Sequence, residues 1–160
     1  MDQARPHRDS ERRSKRLNHM GNVLLSEART MQGRSADAML RAARMTFDEA
    51  LQLTPDMPEA LVGIGCVRLA MASRTIDGGE RDGLLKEARQ ELLRAETLWG
   101  KAAAYNLACA CALEGDLPGC RTWLEQAKAE LHLPPAAQVR TDPALAAVRG
   151  EPWFAELLAP

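Results

Sequence analysis

The chain has 160 residues, 46% of them hydrophobic and 27% charged, with a formal net charge of −1; this composition describes one soluble globular domain able to bury a core of its own. The near-zero balance gives no overall pull toward nucleic acid or a membrane, and no apolar run approaches the roughly 18 residues that span a bilayer. Aromatics make up only 4%, alanine is abundant and long β-branched runs are missing, which excludes a sheet and leaves an all-α chain.

The charge is unevenly placed. Residues 1–16 carry Arg5, Arg8, Arg12, Arg13, Lys15 and Arg16 against Asp2, Asp9 and Glu11, a balance of +3 that leaves −4 for the remainder. No apolar segment follows this basic start, so it does not read as a secretory signal. Four cysteines without an export signal suit a reducing cytoplasm.

Residues 1–9 are polar, contain Pro6 and lack apolar periodicity; they are expected to form a disordered basic arm ahead of a single helical domain over 10–160. A first helix opens near Ser10. Leu17, Met20, Leu24, Leu25, Ala28 and Met31 recur at the three- and four-residue steps of one helix face. Gly33 interrupts, and Ser35 is a plausible N-cap for a second helix with Met39, Leu40, Ala43, Phe47, Ala50 and Leu51 on one side. Pro55 ends it. Pro58 sits where a first turn tolerates proline, and a third helix runs to about Ala72.

The stretch from Ser73 to Gly83, "SRTIDGGERDG", reads as a loop with three glycines. A fourth helix begins at Glu80 or Leu84 and ends at Leu98, before Gly100. A fifth spans Ala102 to Leu113. Gly115-Asp116 is a tight turn, Asp116 caps a sixth helix with Pro118 near its start, and that helix reaches about Leu131. "HLPPAAQVR" reads as a loop. Asp142-Pro143 and Glu151-Pro152 open two short helices before the terminal "WFAELLAP".

Self-comparison shows a repeat. Counting Lys101 as position 1, Leu107, Ala108, Cys111, Cys120, Leu124 and Ala127 fall at positions 7, 8, 11, 20, 24 and 27. This resembles the tetratricopeptide repeat (TPR), a helix hairpin of about 34 residues with core residues at those places; "YNLACACALEGD" matches its first helix and turn. With Pro58 as position 1, Ile64 and Gly65 take positions 7 and 8. Ala88, Leu92 and Ala95 fit 20, 24 and 27 after an insertion of about eleven residues. In the first pair, Ala43, Phe47 and Ala50 fit 20, 24 and 27, followed by "EALQLTPD", while the first helix departs from the pattern. "TDPALAAVRGEPWFAELL" is similar to a tail that closes bacterial proteins of this type.

The resemblance implies a right-handed α-solenoid of about three hairpins, near 10–54, 58–99 and 101–131, with capping helices over 142–159. One hairpin cannot bury both its apolar faces, but stacked hairpins can, and the last needs a cover. Leu145, Val148, Trp153, Phe154, Leu157 and Leu158 would supply one.

The cysteines invite other chemistry, which their spacing opposes. Cys109 and Cys111, two residues apart on a helix, point about 200° apart and cannot share a metal. Neither a zinc spacing nor a C-x-x-C redox pair is present. Cys111 and Cys120 read as small core residues, Cys66 and Cys109 as groove-lining ones; a Cys111–Cys120 disulfide is the remaining alternative in an oxidising setting. His7, His19 and His132 have no nucleophile or carboxylate at a recognisable spacing. No phosphate-binding glycine motif occurs, and "DGGERD" lacks the ligand ladder of a calcium loop. No cofactor, metal or catalytic residue is therefore expected.

The resemblance places a partner-binding groove on the concave side, along positions 2, 5, 6, 9, 12 and 13 of each first helix. In the second repeat these include Glu59, Val62, Cys66 and Leu69; in the third, Ala102, Tyr105, Asn106, Cys109 and Leu113. Val62 and Cys66 stand where family members that clamp a C-terminal carboxylate carry polar side chains, so that mode is not expected. The expected function is a non-enzymatic adaptor or assembly factor, bacterial and cytoplasmic, that holds an apolar helix or extended segment of another protein. The alternatives are a chaperone for an exported substrate, an accessory subunit of a larger enzyme, or a groove filled by the chain's own terminal helix. The basic arm reads as a solvated tail or as a tether to an acidic protein; without interleaved aromatics, RNA is disfavoured. The Ser73–Gly83 stretch is a second contact candidate.

Overall fold

The computed structural model describes residues 4–100 and 103–159, with side chains from Arg8 onward. Residues 1–3 of the expected arm, and Ala102 of the expected groove, lie outside the described residues. Every regular element among those described is helical: α1 (Ala4–Thr30), α2 (Gly33–Leu53), α3 (Pro58–Ala72), α4 (Gly78–Trp99), α5 (Ala104–Glu114), α6 (Leu117–Ala129), α7 (Ala136–Thr141), a 3₁₀ segment (Pro143–Val148) and α8 (Pro152–Leu157). No helix is long and apolar enough to cross a membrane.

Punctuation by proline, glycine and aspartate sets most boundaries. Pro58 lies in the first turn of α3, and Asp77 caps α4 by accepting a hydrogen bond from the Glu80 amide at 2.8 Å. Asp116 does the same for α6, from the Gly119 amide at 2.9 Å. Gly115, at φ 83°, closes α5 in the left-handed region, where the Asp116 amide reaches back to the Cys111 carbonyl at 2.8 Å. The N-terminus of α5 has no cap of its own; Glu96, on α4, accepts from the Ala103 amide and from Gln126 on α6.

Four boundaries differ from those expected. Helix α1 begins at Ala4 rather than after residue 9: Pro6 is tolerated in a first turn, and polar residues carry no penalty on a helix whose opposite side is in solvent. Gly33 does turn the chain, at φ 61°, but α2 starts there, with Gln32 and not Ser35 as its N-cap. The Ser73–Gly83 stretch is mostly helix, because the Asp77 cap starts α4 at Gly78 and leaves only residues 73–77 as connection. The stretch after α6 holds the short α7, with Val139 fully buried.

The helices pair as antiparallel neighbours α1 with α2, α3 with α4 and α5 with α6. The pairs meet through α2–α3 and α4–α5, and the first helices touch along α1–α3 and α3–α5. One apolar cluster centres on Phe47, Leu40, Ile64 and Val67. A second runs from Leu85 and Leu92 through Leu107, Cys111, Cys120 and Leu124 to Leu145, Val148 and Phe154. The 3₁₀ segment packs on α5, so the C-terminal tail covers the last hairpin. Lys128 and Arg140 fasten it by donating to the carbonyls of Leu157 and Leu158.

Close approach of the helices depends on glycine. The Phe47 ring, fully buried, lies where a Cβ on Gly21 of α1 would stand 2.7 Å away, and it also occupies the Cβ place of Gly63 on α3. Leu92 of α4 stands in the same relation to Gly65 of α3, at 2.8 Å. Gly21 thus supplies the small residue that the first helix lacked on sequence alone. Met20, its neighbour in the expected stripe, is 51% exposed; the buried side of α1 is Ser14, Leu17, Gly21, Leu25 and Ala28.

Ion pairs tie the helices together: Arg13 to Glu49 within the first hairpin, Arg94 of α4 to Asp56 of the α2–α3 connection, and Arg74 to Asp37 and Arg89 to Glu114 between hairpins. The most buried pair is Arg68 of α3 with Glu91 of α4. Arg68 Nη1 donates to both Glu91 oxygens at 2.6 Å, and its Nε reaches Glu87 at 2.8 Å. Burial pushes the Glu91 carboxyl up to about 7, against the pull of Arg68 and helped by the nearby charges of Asp48 and Glu87.

Two expectations follow. Gly63→Ala should destabilise the fold by about 1–3 kcal/mol through overpacking. Phe47→Leu in the same chain should recover part of that loss, while Gly78→Ala, with open space around it, should be close to neutral; urea unfolding followed by circular dichroism checks all three. Because Glu91 titrates higher folded than unfolded, its contribution is present below about 4.5 and lost as pH rises through about 7. The wild-type chain should therefore lose about 1–3 kcal/mol more than Glu91→Gln between pH 5 and pH 8; parallel pH slopes for the two proteins would refute the assignment.

Candidate functional site: a cleft between the first helices and the C-terminal tail

A cleft of about 600 Å³ opens where α1, α3 and α5 meet the α7–3₁₀ segment. Its floor is Cys66, Leu69 and Ala70 from α3 with Tyr105, Asn106 and Cys109 from α5. The residues recur at three- and four-residue steps because one face of each helix is presented to it. Ala28, Arg29 and Met31 at the end of α1 form one wall, and Gln138, Thr141, Asp142, Pro143 and Ala144 form the opposite one. Arg74 closes a corner, held there by Asp37 at 2.7 Å and by the Gly33 carbonyl at 3.1 Å.

Two hydrogen bonds organise the floor. The Tyr105 hydroxyl donates to Asp142 Oδ2 at 2.7 Å, which joins α5 to the tail. The Cys66 thiol donates to Asn106 Oδ1 at 3.2 Å, which joins α3 to α5 beside the cleft that both residues line. Asp142 also caps the 3₁₀ segment, its other carboxylate oxygen accepting from the Ala144 amide at 2.9 Å. One aspartate therefore both starts the segment and anchors it on the floor.

The thiols are held protonated. Burial pushes Cys66 up to about 11, with Arg29 opposing and Asp142 adding. Burial, then the charge of Asp142, pushes Cys109 well above the usual thiol range. The Tyr105 hydroxyl is raised too, first by burial, then by Cys109 and by its hydrogen bond to Asp142. At neutral pH the floor is an uncharged, weakly polar surface flanked by two cationic groups, Arg29 and Arg74. Such thiols are poor nucleophiles and poor metal ligands. Among the described residues, no group of three or more His, Cys, Asp or Glu side chains converges to hold a metal.

Of the eight described residues expected to line a groove, five do so together: Cys66, Leu69, Tyr105, Asn106 and Cys109. Three do not. Glu59 is exposed at the start of α3, in the electrostatic reach of Lys15. Val62 and Leu113 are half-buried against the second core cluster, and the Leu113 carbonyl accepts from Arg81 at 2.9 Å. Neither they nor Glu59 are among the residues that line the cleft. Cys111 and Cys120 are buried in the core as free thiols. Burial raises them to about 11 and about 12, and Arg89 donates to the Cys111 sulfur at 3.1 Å.

The lining residues that sequence reasoning missed are Arg29, Arg74, Gln138, Thr141 and Asp142. Asp142 carried a visible signal as a cap before Pro143, but nothing local indicated that its second oxygen meets Tyr105, 37 residues away. Compared with known protein families, curated proteins and solved structures, the chain matches none.

Proposed function

We propose that this chain is a TPR-like helical repeat protein that acts without catalysis, as an adaptor or assembly factor holding a short segment of another protein in the cleft. The stacked hairpins, the small-against-large seating at Gly65 and Leu92, and the helical tail over the last hairpin support the repeat reading. The observation that carries the binding reading is the cleft itself: a concave, mostly apolar floor of protonated thiols and a leucine, with the Asn106 amide as a fixed polar handle. Burial of an apolar side chain on Leu69, Ala70 and Cys109 would supply affinity, about 25 cal/mol for each Å² removed from water. The Asn106 NH₂ would donate to a backbone carbonyl of the segment and set its register. The tail wall, fastened through Tyr105 and Asp142, makes the site narrower than an open groove and favours an extended segment over a full helix.

A protein partner recovered with the intact chain tests this. Cys66→Arg, which fills the floor, and Asn106→Ala, which removes the handle, should each weaken that complex at least ten-fold, about 1.4 kcal/mol, without lowering the thermal unfolding midpoint by more than a few degrees. A partner whose affinity is unchanged by both substitutions would move the binding surface elsewhere.

A further inference from the structure

We propose that the outward edge of α1 is a second, independent interaction surface, which takes an acidic amphipathic helix of another protein. The edge is defined by the helix itself. Arg8, Arg12, Arg16, His19 and Val23 follow one another at steps of four, four, three and four, the spacing of a single face, and all are exposed. They lie opposite Ser14, Leu17, Gly21, Leu25 and Ala28, which are buried against the rest of the fold. The face is therefore the outer surface of the first hairpin, on the side away from α2 and α3.

Its charges are uncommitted. Lys15 pairs with Glu11 and Arg13 pairs with Glu49, but among the described residues Arg8, Arg12 and Arg16 make no ion pair. Asp9 lies only at the border of the stripe, and the whole row sits on one continuous helix, Ala4–Thr30. Beyond the arginines the stripe turns apolar at Val23, 43% exposed, with Met20, 51% exposed, at its border. A cationic row at a pitch of about 6 Å, followed by an apolar step, is complementary to a helix with carboxylates every four residues and an apolar residue beyond them. A phosphate backbone would match the first half alone, and the edge offers no aromatic ring for bases to stack on. Inner hairpins are each covered by the next; a partner helix here would continue that stacking by one layer. The inference does not rest on the cleft, since α1 reaches the cleft only at its far end, through Ala28, Arg29 and Met31.

The test measures fluorescence anisotropy of the full chain with three probes: a labelled helical peptide carrying glutamate at three positions four residues apart and leucine on the same face beyond them, the same peptide with lysine for glutamate, and a duplex RNA of equal charge. The acidic peptide should bind at 50 mM salt and weaken at least ten-fold by 300 mM. It should weaken at least ten-fold with Arg12→Glu/Arg16→Glu and about five-fold with Met20→Ser/Val23→Ser, both at exposed positions that leave the circular dichroism spectrum unchanged. Equal binding of the glutamate and lysine peptides, indifference to the arginine changes, or tighter binding of RNA that ignores Met20→Ser/Val23→Ser would each overturn the proposal, the last in favour of a nucleic-acid surface.

Discussion

One aromatic ring between two glycines organises the first half of the molecule. Phe47 on α2 fills the space that a side chain would take on both Gly21 of α1 and Gly63 of α3, so three helices from two hairpins converge on a single residue. The same arrangement recurs in the second hairpin with Leu92 and Gly65. Glycine costs a helix about 1 kcal/mol of propensity relative to alanine. Here that cost is offset by contact: the backbone of the first helix can approach until the large side chain of the second meets it directly, at the density of a protein interior. In a chain with 4% aromatics, this is how a few large residues build a continuous core from many small ones.

The close seating has a consequence on the opposite side of the first helices. Because α1, α3 and α5 are drawn together by their partners, their remaining faces form one concave surface. The residues on it are small or weakly polar, and the C-terminal tail roofs only part of it. The thiols sit in this surface as neutral, hydrogen-bonding, space-filling groups. Their raised titration reflects burial, which at Cys66 outweighs the opposing charge of Arg29.

Charge is distributed by the same architecture. Inside the stack, arginines are paired: Arg68 with Glu91 and Glu87 within the second hairpin, Arg74 with Asp37 and Arg89 with Glu114 between hairpins. Where the stack ends, at the outward face of α1, they are not. Arg8, Arg12 and Arg16, from the basic N-terminal stretch, thus share one exposed helical edge. Basic edge and apolar cleft are separated along α1, which allows two contacts of different chemistry on a small protein.

Local signals in the sequence were sufficient for the helical class, for six main helices and for most of their ends. Apolar spacing, proline in first turns, aspartate caps and glycine at closing turns each act within a few residues, so they can be read from the chain alone. The same holds for the helical opening at Pro152, while the core places of Cys111 and Cys120 followed from the repeat register and not from a local signal. What the tertiary structure decided involves residues far apart. Gly21 became a core position only because Phe47 lies over it, 26 residues later. The cleft takes one wall from the tail, where Asp142 meets Tyr105, and its corners from Arg29 and Arg74, while Glu59, Val62 and Leu113 lie outside it. Periodicity reports which face of a helix is buried on average; which part of that face stays open depends on the path of a segment whose own sequence encodes only a cap and a short turn.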